Sequence, residues 1–310
     1  MAAKLLSDLA SGVTCVPSNY VRPVHDRPSL DQVQPSDHSI PLINLHGFDG
    51  SRCHEIINQI GLACQNYGFF QVQNHAIEEA VIDNMLKVAR EFFHLPESER
   101  LKCFSEDPLK TTRLSTSFNV KTEEVSSWRD YLRLHCYPLE DYMHEWPSNP
   151  PSFREDVAEY CRNVKGLAER LLEAISESLG LEKDYRKEFD PQIQQADKTA
   201  LKCINSYDVD QLHETRSSPI SSAFLSVVSN DRYKSVLHRA VVNCDKERIS
   251  IPTFYCPSYD AVMEPAPQLV DDHHPPLYRS FTYAEFYDKF WDRGLNTRSS
   301  LDLFKTTSHA

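Results

Sequence analysis

From Leu181 to Arg293 the chain contains no glycine, although much of that stretch is rich in β-branched and aromatic residues. Tight hairpins normally draw on residues with positive φ, for which glycine is the default. A β-rich core built through this region must therefore turn by other means, or make fewer turns. The whole chain of 310 residues holds only eight glycines.

The remainder divides by texture. Residues 1–40 are rich in Pro and Asp and read as an extended arm. Ile40–Leu45 reads as a short strand, and a helix is expected at 51–66, with Ser51 as N-cap and Ile56, Ile57, Ile60 and Cys64 on one face. Gly68 stops it, and Phe69–Val72 reads as a strand. A second helix is expected at 78–94 along Val81, Met85, Val88 and Phe92, and Pro96 opens a short one. Asp130–Cys136 alternates like a strand. The longest helix is expected at 152–179, striped by Phe153, Val157, Tyr160, Val164, Leu167, Leu171 and Ile175, with Gly180 as its C-cap. Ala200–Asn205, Ala223–Val228, Tyr233–Val242 and Arg248–Cys256 lean towards β-structure. Thr282-Tyr-Ala-Glu285 is a capping box for a last helix that stops at Gly294.

Composition removes several functions. A net charge of -12 leaves no basic surplus to release counterions from nucleic acid or anionic lipid. No run of about 18 apolar residues is present for a membrane span. The opening MAAKLLSDLASG carries Asp8 and too short an apolar stretch for a secretory signal, which predicts a cytoplasmic protein. Nine scattered cysteines without a CxxC pair fit a reducing compartment. The chain has no G-x-S-x-G elbow for a serine hydrolase.

The chemistry gathers near the C-terminal end of the β-leaning region. Arg248 and Ser250 stand two apart on an expected strand, so both face the same way. A guanidinium fork binds a carboxylate through two parallel hydrogen bonds, and a neighbouring hydroxyl adds a third. His238 lies ten residues earlier, close enough after a hairpin to face the same cavity. A neutral imidazole beside a carboxylate anchor suits a metal liganded partly by a bound acid.

Together with Tyr67-Gly-Phe-Phe-Gln-Val-Gln-Asn-His75, Arg113-Leu-Ser-Thr-Ser-Phe-Asn119, Trp128-Arg-Asp-Tyr-Leu-Arg-Leu-His-Cys-Tyr-Pro138 and Glu145-Trp-Pro-Ser-Asn-Pro-Pro151, these residues resemble the plant 2-oxoglutarate- and Fe(II)-dependent dioxygenases. The subgroup is the downy-mildew-resistance-type oxygenases, similar to salicylic acid 5-hydroxylases and flavone synthases I. The resemblance covers residues 1–205 and 226–310. It implies an α+β protein: a double-stranded β-helix, or jelly roll, with a mixed helix-strand N-terminal region and a C-terminal helix. The corresponding division is an arm at 1–40, a dioxygenase N-terminal region at 41–150, a long helix at 151–180, a residual core at 195–259 and a helical tail at 260–310. His238 matches the distal His of the iron triad, and Arg248 and Ser250 match the pair that holds the distal carboxylate of 2-oxoglutarate. Asn205 and Tyr207 match co-substrate-binding positions, although Asp208 replaces the proline that follows them in the family. Implied cofactors are Fe(II), 2-oxoglutarate as co-substrate and ascorbate as reductant. The implied reaction is hydroxylation of a small aromatic such as salicylic acid or a flavonoid.

The family's His-x-Asp pair, which supplies the other two iron ligands, occurs nowhere in the chain. Asp208–Phe224 resembles nothing in the family and stands for a segment roughly fifty residues longer, or about four to five strands at 8–12 residues each. The expectation is a jelly roll truncated by several strands, with impaired activity. The alternative is a catalytically inactive or non-functional relative, whose open sheet edges would invite a protein partner. Asp208, Asp210, His213 and Glu214 are ligand types, but Asp210 and His213 are three apart and point to opposite faces of a strand. They read as a solvated loop. Asp271-Asp-His-His274 reads as surface before the tail helix. Arg113 also reads as a surface side chain, although an arginine near the pocket would suit a phenolic acid.

Overall fold

Apolar side chains recurring every three to four residues set the three long helices of the first half. They are α1 (Cys53–Asn66), α2 (Glu79–Phe93) and α3 (Phe153–Ser178). The computed structural model describes residues 5–6, 17–21, 23, 40–116, 125, 127–185, 198–206, 214–217, 220–236, 238–241, 248–293 and 300–306. The N-cap of α1 is Arg52 rather than Ser51, and its guanidinium pairs with Glu55 at 3.0 Å instead of capping the helix. Strands β1 (Leu42–Asn44) and β2 (Gln71–Gln73) pair in parallel across α1. Gly68 and Gly180 end their helices in the left-handed region, with φ +72° and +78°.

The main sheet is antiparallel, in the order β3 (Thr112–Ser115), β4 (Asp130–His135), β5 (Lys198–Ser206) and β8 (Arg248–Ser250). Strand β9 (Thr253–Cys256) continues the register of β8 along β5, with Ile204 opposite Ser250 and Leu201 opposite Thr253. A second ribbon joins β6 (Glu214–Ser217) to β7 (His238–Val241), and a third joins β10 (Val262–Met263) to β11 (Phe281–Thr282).

One face of the main sheet packs on the helices. Leu132 and Leu134 of β4 meet Met85, Val88 and Phe92 of α2 and Phe153, Val157 and Cys161 of α3. Each such large apolar side chain stabilises the fold by roughly 1.5–3 kcal/mol. The arm enters this core: Leu5 and Leu6 are fully buried, and the Leu6 amide donates to Asp130 Oδ1 at 2.8 Å.

Residues 223–228, which lean towards β on sequence, lie in helix α4 (Ile220–Val228). Its side chains feed three separate apolar clusters: Leu225 with α1 and α3, Val227 with the tail, and Val228 with Leu181 and Leu269. Packing into three clusters outweighs the β-leaning of its β-branched residues. Among the described residues of Tyr233–Val242, only 238–241 is strand.

The turn after α4 replaces glycine with Asn230 (φ +51°) and Asp231 (φ +60°), the residue types that best tolerate that region. Asn230 holds it by donating to Pro275 O (3.1 Å) and accepting from the Leu277 amide (2.8 Å). Tyr278 donates to Asp231 Oδ1 at 2.5 Å. Helix α5 (Tyr283–Arg293) starts with half of the expected capping box: the Glu285 amide donates to Thr282 Oγ1 at 3.2 Å, while the Glu285 carboxylate accepts from Arg279 at 2.6 Å.

Candidate functional site

Strand parity builds the site. On the face of the main sheet turned away from the long helices, residues opposite one another form rows. One row runs Ser115–Tyr131–Ile204–Ser250, and the next runs Arg113–Arg133–Lys202. Arg248 shares this face, opposite Ser206. The expected i, i+2 relation of Arg248 and Ser250 is therefore a feature of β8, and Ser250 is half-buried. Asn205 pairs with Asp130 of β4 and Ile249 of β8. Tyr207 lies outside the described residues.

Arg113 is not a surface residue: it is 0 % exposed. Its Nε donates to Ser105 O (2.9 Å), Nη1 to the Tyr131 hydroxyl (2.5 Å) and Nη2 to Ser115 Oγ (3.3 Å). An alternating strand run conceals this, because only the pairing of β3 with β4 turns Arg113 inward. Arg133 stands directly opposite it and donates through Nη2 to the carbonyls of Pro108 (2.7 Å) and Lys110 (2.6 Å). Its Nε is buried with no hydrogen-bond partner. Burial lowers the Arg133 guanidinium below its ordinary value, and Arg113 adds to the fall. Like charges directly opposite on a sheet destabilise it, and here each guanidinium donates to neutral oxygens of the protein.

Tyr287 of α5 and Tyr259 lie within electrostatic reach of Arg133. The two rings meet edge to face at 5.4 Å, and burial first, then Tyr287, raises the Tyr259 phenol above its ordinary value. The result is a face with one buried and one half-buried guanidinium group and three tyrosines. Sequence reasoning gave no role to Arg133, Tyr259 or Tyr287. Parity with Tyr131 would have found Arg133, but the docking of α5 has no local signal.

His238 heads β7, opposite Ser217, and β7 pairs with β6 rather than forming a hairpin with β8. Glu214 pairs with Val241 in the same ribbon. Glu214 is thus in a strand, not the expected loop. Asp208, Asp210 and His213 lie outside the described residues. Asp271–His274 is exposed, as expected, and Asp271 Oδ1 accepts from the His273 and His274 amides at 2.8 and 2.7 Å. Among the described residues, no three His, Cys, Asp or Glu side chains are grouped to hold a metal ion. No described helix is long and apolar enough to cross a membrane.

Comparison with known proteins gives this geometry a family. Residues 40–152 match the model of the non-haem dioxygenase in morphine synthesis N-terminal region, and residues 180–257 match that of the 2OG-Fe(II) oxygenase superfamily. The chain is 49 % identical to protein DMR6-like oxygenase 2 of Arabidopsis thaliana, with 99 % of each chain covered. That alignment spans 345 positions, against the 310 residues of this chain. Identity to flavanone 3-dioxygenase 2 of Oryza sativa subsp. japonica is 42 %, over 94 % of each chain. The crystal structure of JOX2 in complex with 2OG, Fe and JA superposes with a TM-score of 0.82 at 26 % identity, covering 99 % of this chain and 98 % of that one. Its fold class is the jelly roll expected from the resemblance. With these relatives at this coverage, the chain belongs to the 2-oxoglutarate- and Fe(II)-dependent oxygenases of the downy-mildew-resistance type.

Proposed function

We propose that this chain binds 2-oxoglutarate through Arg248 and Ser250 and oxidises a small aromatic acid, with an iron-binding set reduced to His238 at the family's positions. The observation that carries this reading is the shared sheet face of Arg248, Ser250, Arg113, Tyr131 and Arg133. A fork and a hydroxyl at one end suit the distal carboxylate of the co-substrate. Two guanidinium groups among tyrosines, that of Arg113 buried and that of Arg133 half-buried, suit an aromatic carboxylate such as salicylic acid better than a neutral flavonoid. Asn205 and Tyr207 are secondary candidates for the co-substrate.

Fe(II), when bound, supplies the family's O2 chemistry, with ascorbate as reductant. The described residues do not fit a facial triad: the chain lacks His-x-Asp, and among the described residues no three His, Cys, Asp or Glu are grouped to hold a metal ion. No oxidative step is assigned to them, and lowered turnover follows from the reduced donor set. In the same reading the jelly roll of residues 195–259 is short of several strands. The regions at 1–40, 41–150, 151–180 and 260–310 surround it. A cytoplasmic protein with a partner on the open sheet edges completes the proposal.

Succinate release from 2-oxoglutarate in the presence of Fe(II), ascorbate and salicylate tests it. Turnover above an iron-free control but below that of an intact relative is expected. Turnover equal to the control would leave a binding protein in place of an enzyme.

A further inference from the structure

The helix-facing side of the main sheet holds a cavity of about 290 Å³ between α3, α4 and β9. Leu171, Leu172, Ile175, Leu225 and Val228 form much of its wall. Among the described residues, no charged side chain lines it. Dry apolar cavities of about 150 Å³ accept benzene, so this one has room for two fused rings. Its wall carries two aliphatic hydroxyls. Ser176 already donates to Leu172 O at 3.0 Å. Thr253 Oγ1 is buried with no hydrogen-bond partner, which is rare for a buried polar atom.

We propose that this cavity is a second small-molecule site, for a compact neutral aromatic molecule with a single hydroxyl or carbonyl group. The apolar walls take the rings, and the polar group completes the hydrogen bonding of Thr253. An anion is disfavoured because, among the described residues, no cation lines the wall to offset its desolvation. Thr253 has the parity of Ile249 and Ile251, whereas Arg248 and Ser250 have the other. The cavity therefore backs onto the strand whose opposite face carries the proposed co-substrate anchor, and the two sites are separate.

Calorimetric titration of the full chain with 1-naphthol, naphthalene and 1-naphthoate tests the site. Binding of 1-naphthol is expected to be tighter than that of the other two and unaffected by excess 2-oxoglutarate. Thr253→Val, which keeps the shape, should weaken 1-naphthol about 5–10-fold and leave naphthalene unchanged. Leu225→Trp should fill the space and abolish both, without lowering Tm. The proposal is overturned if 1-naphthoate binds best, if 2-oxoglutarate displaces 1-naphthol, or if Thr253→Val has no effect on it. Absence of any binding, with Leu225→Trp only raising Tm, would make the cavity a packing void.

Discussion

A Cβ placed on Gly68 would lie 2.5 Å from the carbonyl oxygen of Lys234 and 2.7 Å from Val236 Cγ2. The Lys234 amide also donates to Cys64 O at 3.1 Å, so the end of α1 is seated against the segment that leads into His238. Gly68 further needs its positive φ of +72°. Gly68→Ala should therefore destabilise the protein by about 2 kcal/mol or more, from strain and the backbone clash together. Gly166 is the control, since it lies in the middle of α3 and a Cβ added there would meet nothing within 4 Å. Gly166→Ala should stabilise by roughly 0.5–1 kcal/mol. Urea unfolding of the two variants reads both signs.

Arg248 and Ser250 differ in what each would give 2-oxoglutarate. Loss of a charge-assisted fork removes two hydrogen bonds, and loss of a hydroxyl removes one neutral bond. Arg248→Ala should weaken 2-oxoglutarate binding by roughly 30-fold or more, and Ser250→Ala by roughly 5-fold. Calorimetry on the purified variants measures both, and equal small losses would place the co-substrate elsewhere.

Arg133 should discriminate acids from neutral aromatics. Its Nε is buried with no partner, and its opposite neighbour is Arg113. Arg133→Gln should weaken salicylate binding by about 10-fold and leave a neutral flavanone within two-fold of its unaltered affinity, on the order of experimental scatter. A variant that loses both ligands equally would give Arg133 a purely structural role.

The helices were legible because each carries its own stripe. Val81, Met85, Val88 and Phe92 mark α2 and are all buried. The site was legible in part, since Arg248 and Ser250 are neighbours in sequence as well as on a strand. What escaped the sequence depends on partners distant along the chain. Arg113 looks like any exposed arginine until β4 pairs with β3 and buries it. The β-leaning residues at 223–228 become helical because three clusters need them at once. The missing glycines matter less than expected at the turn after α4, where Asn230 and Asp231 take the same backbone region and are held by Pro275, Leu277 and Tyr278.

The Cys64 thiol gives a pH test of the seam between α1 and α3. Burial pushes it up to about 12, because an ionised thiolate there would lose its water without gaining a partner cation. A raised acid favours the folded state in its protonated form. Its contribution is full below the unfolded thiol value of about 8.5 and declines as pH climbs from there through the folded value. In that window the unfolded chain binds fewer protons than the folded one, so stability falls with rising pH at up to about 1.4 kcal/mol per pH unit from this group. Cys64→Ala removes that slope while leaving the other titrating groups to cancel in the comparison. The variant should be less stable than the parent at pH 7.5, by about 1 kcal/mol for the lost packing, and the gap should close by pH 10. Urea unfolding at pH 7.5, 8.5 and 9.5 measures it. A gap that stays constant across the three values would mean that Cys64 ionises as readily in the fold as in the open chain.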